Sequence, residues 1–164
     1  MSSHIGSVEF PVTRRFSRDL PGLTLHDVAL EIARSHEIGT TEWFPTYTYT
    51  TTGAEVATVR VIVPTIVRMP RWRGYASAGR AARREWHRFW SALDAHERGH
   101  FVLVQEHLAG IHEHLVGVPV DEAGRAWRQA LDDLRSASEA YDVDTDYGRN
   151  QGAVLDVTAA STAA

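Results

Sequence analysis

The 164-residue chain contains no cysteine, which excludes disulfide bonds and thiolate metal ligands and leaves histidine and carboxylate side chains to hold any ion. Lysine is missing as well. All seventeen cationic side chains are arginine, a bias that accompanies abundant alanine and is read as genome composition, with no mechanism attached. Long apolar runs are also lacking: the longest, Val61 to Val67, is interrupted by Pro64 and falls far short of the roughly 20 residues that span a bilayer. A formal net charge of -4 gives no footprint for nucleic acid. Met1 to Ser17 has no apolar core of roughly 7–15 residues behind a basic start, so a cytoplasmic protein is expected. No internal repeat is visible. With 43% hydrophobic residues the chain suits one domain over residues 1–155, with 156–164 as a loose tail.

What the chain does have is histidine, nine in all, two of which frame His96-Glu97-Arg98-Gly99-His100, an H-E-x-x-H stretch. Residues four apart on an α-helix lie about 40° from each other around the axis and roughly 6 Å along it, so both imidazoles reach one ion. Glu97 then flanks that ion, where a carboxylate takes a proton from a water acidified by the metal and hands it to a leaving group. Chance supplies roughly 0.03 such matches in a chain with nine His and eleven Glu, but the motif still demands structural context. Two further His-Glu pairs, His36-Glu37 and His112-Glu113, are followed at the corresponding positions by Thr40 and Val116.

Between about residues 79 and 117, Trp86, Phe89, Trp90, Leu93, Leu103, Val104, Leu108, Ile111 and Leu115 recur at three- and four-residue steps, which predicts one long helix facing a core. His96 and His100 fall inside that stripe. Their rings therefore point away from solvent and need partners, either ordinary hydrogen-bonding neighbours or a metal. Zinc needs a third protein ligand. His107 stands about 10 Å beyond His100 along the helix, too far to share the ion, and with His112 and His114 is read as solvated or packed. The extended H-E-x-x-H-x-x-G-x-x-H pattern is absent, since Leu103 and Glu106 occupy its Gly and third His positions.

After Gly117-Val118-Pro119, Asp121 is placed to cap a second helix running to about Tyr141, with Trp127, Leu131, Leu134 and Tyr141 inward. So short a turn makes the two helices antiparallel. Because both advance about 1.5 Å per residue, a pivot near Pro119 sets position 98 level with position 140. The acidic stretch Asp142, Asp144, Asp146 thus arrives beside the histidines. Asp142 continues the inward stripe and is the expected third ligand, whereas Glu139 projects about 120° away from it. Asp144 competes, because Asp144-x-x-Tyr147-Gly148 resembles the D-x-x-Y-G ending of deuterolysin-like aspartate zincins. A solvated acidic helix end is the alternative to either.

A Trp/Phe-rich helix leading into H-E-x-G-H-F (Trp86, Phe89, Leu93, His96 to Phe101), followed by Tyr141-Asp142-x-x-Thr145-x-x-Gly148-x-x-Gln151-Gly152-Ala153, resembles bacterial domain-of-unknown-function family 922. The resemblance reaches back through Pro70-x-Trp72 and covers most of the chain. It implies a zinc-dependent protease of zincin-like fold. The family pattern reads T-x-H-G where this chain has Thr145-Asp146-Tyr147-Gly148, so Tyr147 replaces a histidine; its phenol can donate to the oxyanion formed when water attacks a carbonyl. Relatives are typically exported, often with a cysteine pair, and this chain has neither mark.

In the first half, Thr24 with Asp27 begins a short helix to about Ser35, and Trp43 to Thr50 with Val56 to Val67 flank a turn at residues 51–54 as a hairpin. Arg71, Arg73, Arg80, Arg83, Arg84 and Arg88 read as a solvated face. The expected fold is α+β: a small antiparallel sheet on a long active-site helix and an antiparallel second helix, with a sheet edge able to take an extended peptide. The leading expectation is a zinc-dependent hydrolase of peptidase type binding one Zn2+ through His96, His100 and Asp142, with Glu97 as general base and Tyr147 on the oxyanion. One alternative keeps the metal and acts on a small molecule in a biosynthetic pathway; another is a metal-free binding module on the same scaffold. A peptide or small molecule is the expected partner, with neither nucleic acid nor membrane.

Overall fold

In the computed structural model residues 6–35 and 38–158 are described; the His36-Glu37 pair and residues 159–164 of the expected tail lie outside them. The protein is mixed α and β, with four α-helices and six strands among the described residues. It divides into two compact units, Met1–Thr13, Glu42–Thr65 and His100–Tyr141 forming the first, and Arg14–Thr41, Ile66–Gly99 and Asp142–Ala164 the second.

The first unit holds a sheet of order β1-β5-β4, from β1 (Gly6–Glu9), β4 (Thr46–Thr52) and β5 (Glu55–Ile62). The hairpin expected from the Thr/Tyr and Val-rich runs is β4 and β5, paired antiparallel and turned at Gly53, whose φ of 65° suits the residue type. β1 joins in parallel, so the sheet is mixed and the expectation of a purely antiparallel one is corrected. The strand expected to reach Val67 ends at Ile62, because Pro64 carries no N–H for a ladder; the chain resumes as β6 (Thr65–Trp72) in a different sheet. Val56, Val59, Val61 and Val63 pack with Val104, Leu108, Ile111, Leu115, Trp127 and Leu134 as this unit's core.

The single helix expected over 79–117 is two. α2 (Arg80–Leu108) stops before Gly110, and α3 (Ile111–Leu115) follows. Gly117, at φ 78°, then leads into α4 (Val120–Asp144), which runs one turn past the expected Tyr141 and carries Asp121 inside its first turn rather than as cap. The turn is anchored on β5: Val56 N–H donates to Val118 O, and Gly117 N–H to Val56 O. That docking sets the register of α4 against α2.

The second unit is built on a sheet of order β2-β6-β3, with β2 (Val12–Leu20) and β3 (Thr40–Trp43) flanking β6. α1 (Leu25–Ala33) starts as expected, with both halves of the Thr24–Asp27 capping box formed, and ends two residues early. Leu20, Leu25, Val28, Val67, Met69, Trp72, Trp86, Phe89 and Leu93 form its core. The arginine run is exposed as expected, apart from a half-buried Arg83, but three of its members are paired. Arg71 grips both oxygens of Asp19 at 2.7 and 2.9 Å, Arg73 adds a bond of 2.8 Å, and Arg88 is paired with Glu85.

Those two guanidiniums, Arg71 foremost through its hydrogen bonds, hold the Asp19 carboxyl down to about 2, below its unfolded value of about 3.9. A depressed carboxyl stabilises the fold above its unfolded value and loses that contribution as pH falls through the folded one. Denaturant titrations should therefore show wild type ahead of Asp19→Asn by a constant margin above about pH 5, shrinking between about pH 4 and 2. A margin independent of pH would contradict the pairing.

Candidate metal centre

His96, Glu97 and His100 sit on consecutive turns of α2 and are 4%, 3% and 7% exposed, so the inward placement read from the stripe holds. His96 is oriented from the chain segment after α4. Its Nδ1 lies 3.0 Å from Gln151 Oε1, an acceptor, so Nδ1 is the donor there and Nε2 points the other way. Asp142 Oδ1 stands 3.2 Å from that Nε2. A proton on Nε2 or a metal ion between the two atoms suits that distance. Thr145 Oγ1 lies 3.4 Å from His96 Nδ1 and accepts from Gly148 N–H at 3.3 Å, tying the end of α4 to the following turn.

His100 is held from α4. Its Nδ1 shares a 2.8 Å hydrogen bond with Ser138 Oγ, and the ring meets Tyr141 edge-on at a centroid distance of 4.9 Å. The pairs His100–Ser138 and His96–Asp142 are both centred on position 119, the register that a pivot at Pro119 predicts. One ligand atom from each of His96, His100 and Asp142 lies within 4.8 Å of the other two.

Glu97 is placed by β3 and the residues before it. Thr41 Oγ1 lies 2.8 Å from Glu97 Oε2 and 3.0 Å from the Glu97 carbonyl. Its other oxygen, Oε1, abuts Gly39, where a Cβ would lie 2.7 Å from it; only glycine leaves room for that carboxylate. Asp94, the remaining buried acid nearby on α2, is saturated by Arg14 at 2.6 Å and Arg98 at 2.8 Å. A cleft of about 980 Å³ opens onto His96 and Glu97, walled mainly by apolar side chains including Ile32, Ile38, Leu93, Ala153, Val154 and Leu155.

Of the expected site residues, His96, His100 and Asp142 come together and Glu97 lies in the same turn of helix. Tyr147 lines the cleft beside them, at φ 53° and 65% exposed. Asp144, Asp146 and Glu139 are exposed, and Asp142 is the half-buried acid of the group. Five participants were missed by motif reading. Ser138 had a signal, a small polar residue on the inward face between Leu134 and Tyr141. Gln151, Thr145 and Gly148 belong to the family motif but carried no assigned role. Thr41, some 56 residues from Glu97, had no signal at all.

The architecture thus defines a mixed α and β protein whose long helix presents two inward histidines to a carboxylate on its antiparallel neighbour. Residues 19–149 match the family model described as "Bacterial protein of unknown function (DUF922)", and the chain belongs to that family. No curated protein and no solved structure matches it.

Gly148 tests how tightly His96 is surrounded. Its φ of 81° already disfavours a side chain, and a Cβ would lie 3.0 Å from His96 Cγ. Gly53 has a similar φ with nothing within 4 Å. Chemical denaturation should show Gly53→Ala losing about 1–2 kcal/mol from backbone strain alone, and Gly148→Ala losing more. Equal losses would mean that the approach to His96 is slack.

Proposed function

We propose that this protein is a zinc-dependent hydrolase of peptidase type with a zincin-like arrangement, in which His96, His100 and Asp142 hold the ion and Glu97 is the general base. The carrying observation is the convergence of the three ligand atoms within 4.8 Å, beside a buried glutamate at the floor of an open cleft. The donor set fits the ion. Ligands about 2 Å from a tetrahedral zinc lie roughly 3.3 Å from one another, close to the 3.2 Å between His96 and Asp142. Both rings carry the supporting hydrogen bond on Nδ1 that metal-bound histidines ordinarily have, from Gln151 and Ser138. Two imidazoles and one carboxylate leave a coordination position for substrate or water, the composition of catalytic sites.

Bound there, the ion supplies Lewis acidity that makes water a better nucleophile and a carbonyl a better electrophile. Glu97 does the proton work. With Thr41 orienting its carboxylate, Glu97 takes the proton from the attacking water and returns it to the leaving amine. Burial at 3% exposure keeps bulk water from competing for that proton. Tyr147, on the rim of the same cleft, is the donor for the developing oxyanion. The cleft volume also falls in the range of small-molecule sites, which favours as a second reading the same chemistry on a compact carbonyl substrate.

Elemental analysis beside a peptide-library digest tests this. Glu97→Gln should retain stoichiometric zinc and lose peptide cleavage by a factor of about a thousand or more. His96→Ala and Asp142→Ala should lose the metal, and Asp144→Ala should keep it. Stoichiometric zinc without cleavage of any peptide would shift the assignment to the small-molecule reading; no bound metal in the wild-type protein would remove both.

A further inference from the structure

Residues 148–156 lie along a single face of α2, antiparallel to it. A Cβ at Gly148 would lie 3.0 Å from His96 and one at Gly152 3.4 Å from Arg88 and 3.7 Å from Ala92, and further along Asp156 N–H donates to Glu85 Oε1 at 2.7 Å. The positions met on α2, 96, 92, 88 and 85, are those of one helical stripe. What fastens this strap is an ion pair. Arg88 Nε and NH2 bond the two oxygens of Glu85 at 2.8 and 2.6 Å, and Glu85 is only 6% exposed. Arg88 then donates to Gly152 O at 2.8 Å and to Val154 O. Three backbone groups of the strap thus end on one pair of side chains. The guanidinium holds the Glu85 carboxyl below its ordinary range, so the pair stays charged across neutral pH.

A partly buried ion pair is weak evidence for stability, because desolvation offsets much of its attraction. Its geometry has another consequence. Gln151, immediately before the first carbonyl gripped by Arg88, is the residue whose Oε1 receives the His96 Nδ1 proton. We infer that Glu85 and Arg88 are positioning residues, which hold the strap so that Gln151 fixes the His96 ring with Nδ1 protonated and Nε2 turned to Asp142. Neither touches the reacting atoms; both act through Gln151, about two turns away from the motif. For the metal-binding consequence this rests on the ligand role proposed for His96, but the ring orientation itself does not.

Imidazole 15N spectra of histidine-labelled, chelator-treated protein read the orientation without any metal, with His96→Gln assigning the signal. Wild type should show His96 as a single form with Nδ1 protonated, and Arg88→Ala and Gln151→Leu should each convert it to a mixture. Gln151→Glu, which keeps an acceptor, should restore the single form. In a chromophoric-chelator competition with Zn2+, Arg88→Ala and Gln151→Leu should each weaken binding about 10- to 100-fold, and the double variant no further. Val61→Ala, in the core of the other unit, is the control for general loosening and should leave the His96 signal unchanged. Should Arg88→Ala not fold, Arg88→Lys, which cannot serve both carbonyls and both carboxylate oxygens, gives the same reading in milder form. An unaltered tautomer in the Arg88 variants overturns the inference, as does a control that shifts equally. Wild-type protein that binds no zinc yet shows the tautomer change would sink the proposed function and leave the positioning role standing.

Discussion

His96 turns its Nε2 toward a carboxylate oxygen 3.2 Å away, and much of the second unit serves that juxtaposition. A proton or a metal ion between the two atoms holds them together, and the surrounding groups leave the ring little freedom to turn aside. Gln151 pins its far nitrogen, Gly148 leaves no room beside it for a side chain, and Thr145 links the end of α4 to the same turn. An imidazole with a fixed tautomer differs from one merely buried. It presents one defined acceptor in one defined direction, which is what a ligand must do.

Small residues do much of this work by leaving room. Gly39 lets the Glu97 carboxylate stand where any side chain would collide with Oε1, and Gly148 combines a left-handed backbone with close contact to an imidazole. Each is bound up with a polar group at the centre, and each lies far in sequence from the group it serves. The same holds for the charged residues. Asp94, buried one turn before the histidines, is neutralised by Arg14 and Arg98, which leaves Asp142 as the carboxylate facing His96.

How much was legible differs between elements for physical reasons. The H-E-x-x-H turn, the capping box of α1 and the β4–β5 hairpin are local, and their residues meet because helix and hairpin geometry bring neighbours of three, four or a few positions together. The meeting of Asp142 with His96 was legible too, because two antiparallel helices pivoting near Pro119 have a calculable register. The breaks were less so. α2 ends before Gly110 where the apolar stripe itself runs on, and β5 ends at Pro64 where the β-rich composition runs on. In both places a single backbone-breaking residue outweighed the periodicity around it. The strands over residues 6–20 were not foreseen, since neither shows the clean alternation of a half-buried strand.

Helical spacing was enough to put two imidazoles and a glutamate on one inward arc, because a helix is a one-dimensional object whose geometry follows from residue count. Which partners would meet those side chains was settled only by folding. Thr41 on Glu97, Gln151 on His96 and Arg88 on the strap are contacts across 55 to 64 positions, made where separate segments converge. Separation along the chain carries no information about such convergence; it follows from packing the whole core at once, which no short window of residues encodes.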